Sequence, residues 1–128
     1  MSIRRLFTLL VALAAALITP VLLAPTASAA GTVHGCPYGA VCIYPQNAGW
    51  NRDRPALVYW AYGPHNLSNV YGVHRVLNNQ YGGARVEACF GYNGTGGGTF
   101  LLGTSIDYNL TPVNSVVLFP LNGTGCRR

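Results

Sequence analysis

Beyond position 30 the chain alternates between brief apolar runs and stretches of Gly, Asn and Pro. The runs cover residues 40–44, 56–62, 73–77, 84–90, 99–102 and 113–119. Short runs at this spacing, bounded by turn residues, predict the strands of an all-β domain. Tyr, Val, Thr and Phe dominate them, side chains that suit a pleated, half-buried surface. Over residues 58–62 a period of two puts Tyr59 and Ala61 on one face and Val58, Trp60 and Tyr62 on the other. No window of a dozen residues holds a helical apolar period free of Gly and Pro, so helix is expected only as a short turn, around residues 66–69.

The runs also fall into two similar halves. VCIYPQNAGW opens the first and VEACFGYNG the second, while VHRVLNN and VNSVVLF close them. Superposing the closings pairs Val73 with Val113, Val76 with Val116 and Leu77 with Val117; superposing the openings pairs Cys42 with Cys89. A four-stranded motif packed on its twin gives a β-sandwich of two Greek keys. A small β-barrel with unrelated halves is the alternative architecture.

Ahead of this domain lies a different kind of segment. Arg4 and Arg5 precede an apolar run over residues 6–24, and Ala27 and Ala29 form an A-x-A site. That order reads as a secretory signal over residues 1–29, leaving residues 30–128 as one exported, extracellular domain with no membrane attachment after cleavage. An uncleaved anchor is the competing reading, since the run is long enough to span a bilayer. A domain this small has a marginal core, and in an oxidising compartment cross-links would supplement it. Cys36, Cys42, Cys89 and Cys126 allow three pairings. Cys36 with Cys42 and Cys89 with Cys126 is favoured, because the close pair spans the turn-forming Pro37-Tyr38-Gly39.

The formal charge of +5 falls to +3 once Arg4 and Arg5 leave with the signal. The basic residues are all arginine and are scattered, apart from Arg127-Arg128, so no nucleic-acid stripe is present. Catalysis is poorly supplied: His34, His65 and His74 and the acids Asp53, Glu87 and Asp107 lie among turns, with no nucleophile elbow and no zinc-helix motif. No enzyme activity, cofactor or resident metal is expected.

The string Cys36-Pro37-Tyr38-Gly39-Ala40-Val41-Cys42, followed by Ile43-Tyr44 and Gly49-Trp50, resembles the secreted bacterial peptidase inhibitors of the Streptomyces metalloproteinase inhibitor type. The resemblance implies a βγ-crystallin-like sandwich and inhibition of extracellular metallopeptidases by a rigid loop that docks like a substrate. The position matching that family's reactive bond is Cys89-Phe90, where an apolar Phe90 would suit a thermolysin-like specificity pocket. No cysteine follows Cys89 closely, so the tight disulfide loop of the family is missing there.

Other motifs carry less. The six positions before Val76 and before Val116 lack the leading Asn/Asp pair of crystallin calcium sites, and calcium wants several hard oxygens. Ser115 is expected instead to tie a folded hairpin of its own motif. Residues 94–98 lack the Lys-Ser/Thr of a phosphate loop and are expected to form a mobile hairpin connection. The aromatic and amide residues of the first half suggest a second class of function, a cell-envelope or carbohydrate-binding module that uses exposed aromatics such as Trp50 and Trp60.

Overall fold

The structure, a computed structural model, describes residues 31–128. The expected signal, its cleavage site and Ala30 lie outside the described residues. Eight strands follow one another: β1 (Val41–Ile43), β2 (Leu57–Tyr59), β3 (Gly63–Asn66), β4 (Val73–Asn78), β5 (Arg85–Cys89), β6 (Gly98–Phe100), β7 (Ser105–Asn109) and β8 (Ser115–Phe119). They form two four-stranded antiparallel sheets, ordered β2-β1-β4-β7 and β3-β8-β5-β6. Each half lends its third strand to the other half's sheet, so β3 pairs with β8 and β7 with β4. Two interlocked Greek keys of this kind make a βγ-crystallin-like sandwich.

The inward faces of the strands explain its cohesion. Val41 and Ile43, Val86 and Ala88, and Val116 and Leu118 alternate into one buried cluster between the sheets, joined by Leu67, Leu101, Leu110 and Val113. The outward-facing residues of the central strands are buried too. Cys42 and Leu77 lie with Cys36, Ala40, Tyr44 and Trp50 over the first sheet. Cys89, Val117 and Phe119 lie with Cys126 over the second. Each sheet thus has its outer face sealed by one disulfide, Cys36–Cys42 or Cys89–Cys126. This is why β8 reads as an unbroken apolar run rather than an alternation.

Two strands lie outside the apolar runs. β3 is Gly-Pro-His-Asn and β7 is Ser-Ile-Asp-Tyr-Asn, each half-buried in strict alternation. Both are edge strands, and the edge is where Pro64 can sit without removing an interior ladder bond. The turn expected around residues 66–69 is not helical. A 3-10 turn forms instead at Tyr92–Gly94, with Asn93 at φ 55°.

At the closings Val76 and Val116 share the central core and Leu77 and Val117 the outer faces, as expected, but Val73 is exposed where Val113 is buried, and the openings do not match. Cys42 lies opposite Leu77 and Glu87 opposite Val117, so Cys42 is equivalent to Glu87, two residues from the expected Cys89. The two cysteines share a residue type but not a place: one is bridged to the loop before its strand and the other to the chain's tail.

The glycine connection is anchored rather than loose. Ser115 Oγ accepts from the Gly94 N–H and donates to the Gly91 carbonyl, the hairpin-tying role expected of it. The Asn93 N–H donates to Asn66 Oδ1. The tail closes over the same loop, with the Arg127 N–H donating to the Gly94 carbonyl and the Gly97 N–H to the Arg127 carbonyl.

Candidate functional site

Three exposed aromatic rings converge at one end of the first sheet. Tyr38 comes from the disulfide loop before β1, Trp60 from the residue after β2, and Tyr81 from the connection between the two motifs. They are 43%, 58% and 60% exposed. The Tyr38 and Tyr81 rings lie 5.3 Å apart and tilt by 31°. Gly39 lies beneath: a β-carbon there would lie 3.3 Å from Tyr81 Cε1 and 3.9 Å from Trp60 Cζ3, and its φ is +93°. The left-handed φ is what favours glycine, while a β-carbon would press lightly on the Tyr81 ring and meet Trp60 at ordinary contact distance.

The backbone that presents these rings is tightly held. The Cys36–Cys42 bridge closes the loop, and Asn79 clasps it from the neighbouring connection. The Gly39 N–H donates to the Asn79 carbonyl, the Asn79 N–H donates to the Ala40 carbonyl, and Asn79 Nδ2 donates to the Cys36 carbonyl at 2.9 Å. Tyr81 opens a turn in which Gly82 and Gly83 take positive φ and the Ala84 N–H donates back to the Tyr81 carbonyl. Residues 36–40, 60–62 and 79–83 contain no charged side chain. The result is a fixed, neutral, aromatic surface, suited to stacking on a flat apolar face.

Trp60 is exposed, with Val58 and Tyr62 also outward and Tyr59 packed inward, as the alternation predicts, but Ala61, expected on the Tyr59 face, is exposed too because β2 ends at Tyr59. Trp50 is differently placed. His34 stacks on its indole at 3.8 Å, Tyr44 meets it edge-on at 5.3 Å, and the Arg75 guanidinium lies 4.6 Å over the ring. Burial pushes the Tyr44 phenol above its usual range, and the Asp53 charge acts in the same direction. Its hydroxyl donates to the His34 carbonyl at 2.6 Å. Trp50 thus fixes the lead to Cys36 against the first sheet, with its ring taken up by neighbours in its own chain.

Arg75 completes this stack with two hydrogen bonds to Asp107, Nε to Oδ1 at 2.7 Å and Nη2 to Oδ2 at 2.8 Å. These bonds hold the Asp107 carboxyl below its usual range. A depressed carboxyl stabilises the fold above its unfolded-state pKa, and that contribution is lost as pH falls through the folded-state value. Asp107→Asn is expected to show a flatter loss of thermal midpoint than the wild type below about pH 4. The difference is small, since the pair is solvent-exposed. Parallel pH profiles would refute it.

Cys89 and Phe90 sit at the end of β5. Cys89 is fully buried, whereas the Phe90 ring is 44% exposed. The Cys89 carbonyl accepts from the Asn114 N–H at 2.9 Å, and the Phe90 N–H donates to the Gly97 carbonyl at 3.1 Å. Asn114 Nδ2 donates to the Phe90 carbonyl at 2.6 Å. Both polar groups of the Cys89-Phe90 peptide are therefore engaged within the chain, and what this position offers a partner is the Phe90 ring. Among the described residues no three of His, Cys, Asp and Glu converge as a metal site would require.

Compared with family models, curated proteins and solved structures, the chain matches none. Of the three rings only Trp60 stands out in the sequence; Tyr38 and Tyr81 do not. In the sequence Tyr38 is part of a turn, and nothing local ties Tyr81 to a loop so much earlier in the chain. The usable signal was Gly39 between a disulfide and an aromatic.

Proposed function

We propose that this is a secreted binding domain without chemistry of its own, whose Tyr38–Trp60–Tyr81 platform takes a neutral glycan of the cell envelope or an extracellular polysaccharide. The observation that carries this reading is the convergence of three exposed rings over Gly39. Stacking of sugar rings on such faces needs flat, prepositioned aromatics, and rigid presentation lowers the ordering cost of binding. The uncharged flanks favour a neutral ligand over an ionic one. Retention on insoluble chitin, cellulose and peptidoglycan tests it. Trp60→Ala and Tyr81→Ala are each expected to weaken retention roughly tenfold or more, the usual scale for a buried aromatic anchor. Phe90→Asp is expected to leave it unchanged. Retention indifferent to Trp60→Ala would refute the proposal.

A second reading, the peptidase inhibitor implied by the resemblance, has one observation in its favour. Phe90 projects from a strand end fixed by the Cys89–Cys126 disulfide, with its carbonyl clasped by Asn114. A preorganised apolar knob of this kind could fill a specificity pocket without presenting the adjoining peptide bond. Titration against a thermolysin-like metallopeptidase, with subtilisin and trypsin alongside, separates the readings. Stoichiometric inhibition lost in Phe90→Asp and kept in Trp60→Ala would establish the inhibitor. Absence of inhibition in all three titrations would remove it.

A further inference from the structure

A concavity opens beside the connection that carries Tyr81, made by residues other than those of the platform. Its volume is about 340 Å³, within the range of small-molecule sites. It lies at the end of the sandwich where β4 finishes, β5 begins and the chain leaves β6 for β7. Val86 and Leu101, 1% and 6% exposed, belong to the central core, while Phe100 and Leu102 line the opening at 43% and 74% exposed. Phe100 and Leu102 together give the hollow a continuous apolar rim, the kind of exposed apolar surface that marks a ligand groove.

The polar groups of the cleft narrow the choice of occupant. Asn78 is engaged within the chain: its Nδ2 donates to the Ala84 carbonyl and its Oδ1 accepts from the Gln80 backbone and side chain. Arg85 is the one ionisable residue among those lining the cleft. Neither ion pair among the described residues involves it, since these join His34 to Asp53 and Arg75 to Asp107. Glu87 shares the outer face of β5 with Arg85, two residues away, but it is 3% exposed, accepts the Cys126 N–H and does not line the cleft. An apolar hollow with one cation and no acid is complementary to a molecule with an apolar tail and a negative head.

We propose that this cleft binds a small anionic amphiphile, with the tail between Leu101, Phe100 and Leu102 over Val86 and a carboxylate or sulfonate at Arg85. The site is independent of the aromatic platform and holds whatever the platform binds. Titration of the oxidised protein with octanoate and, separately, octanol, followed by backbone amide resonances, tests both halves of the assignment. Octanoate is expected to shift Val86, Leu101 and Leu102 saturably and to bind at least fivefold more tightly than octanol. Arg85→Gln is expected to erase that preference, and Leu102→Asp to abolish binding of both. Either change affects an exposed side chain, so unshifted resonances elsewhere certify the fold. Equal affinity for octanol and octanoate in the wild type would overturn the proposal. So would a lack of saturable shifts, or shifts confined to the Tyr38 and Tyr81 loops.

Discussion

Replacing Cys89 and Cys126 together by alanine is expected to lower the unfolding free energy by about 4 kcal/mol, against about 2 kcal/mol for the same change at Cys36 and Cys42, on the loop-entropy account of cross-linking. The two bridges differ chiefly in the length of chain they close, 37 residues of separation against 6. Position adds to length. The long bridge draws the tail over the outer face of the second sheet, where Cys126 packs with Cys89, Val117 and Phe119. It also brings the Cys126 N–H within 2.9 Å of Glu87 Oε2. Losing that donor leaves a buried carboxylate short of a partner, which costs about a further 1–3 kcal/mol. A domain of this size has only about 5–15 kcal/mol of net stability, so the double alanine variant sits near the edge of folding. Urea unfolding of the two double variants measures the difference. Equal losses would mean that the tail contributes nothing to the second sheet.

How much of this was legible depended on whether a feature was local. β8, buried on both faces, announces itself as an apolar run and β5 as an alternating one, and the Cys36–Cys42 pairing follows from the turn between the two cysteines. β3 escaped because Gly63-Pro64 is a stop signal in most contexts and becomes tolerable only at a sheet edge, which is a tertiary fact. β7 escaped because its apolar content is two residues, Ile106 and Tyr108. The duplication was visible, yet matching cysteine to cysteine put the openings two residues out of register; the hydrogen-bonded ladder, not residue identity, decides equivalence. Trp50 and Trp60 look alike as letters. One has His34 and Arg75 against its ring and the other faces solvent, and only the fold that brings His34 and Arg75 together separates them. The platform has the same origin, since its three rings come from segments far apart in the chain and meet because β1 begins where β2 and β4 end.

Gly98→Ala is the second large effect, expected to cost about 3 kcal/mol or more, at the upper end for forcing an extra carbon into a packed site. Gly98 begins β6 opposite Cys89, and its backbone conformation is one that alanine adopts freely. The penalty is therefore wholly one of space. The added carbon would overlap the Ala88 carbonyl oxygen and lie 2.5 Å from Cys126 Sγ. To relieve this, β6 must part from β5 or the disulfide must move, and both are held by the same tail. Gly97→Ala is the informative comparison, since its φ is +64° and its nearest neighbour, Arg128 Cγ, is 4.0 Å away. That change has room and meets only the left-handed penalty of about 1–2 kcal/mol. Thermal unfolding of the two variants ranks the causes, and slower formation of the Cys89–Cys126 bridge on refolding is expected for Gly98→Ala alone. If Gly97→Ala proved the more damaging, backbone conformation rather than the closeness of β6 to the second disulfide would govern this corner of the sandwich.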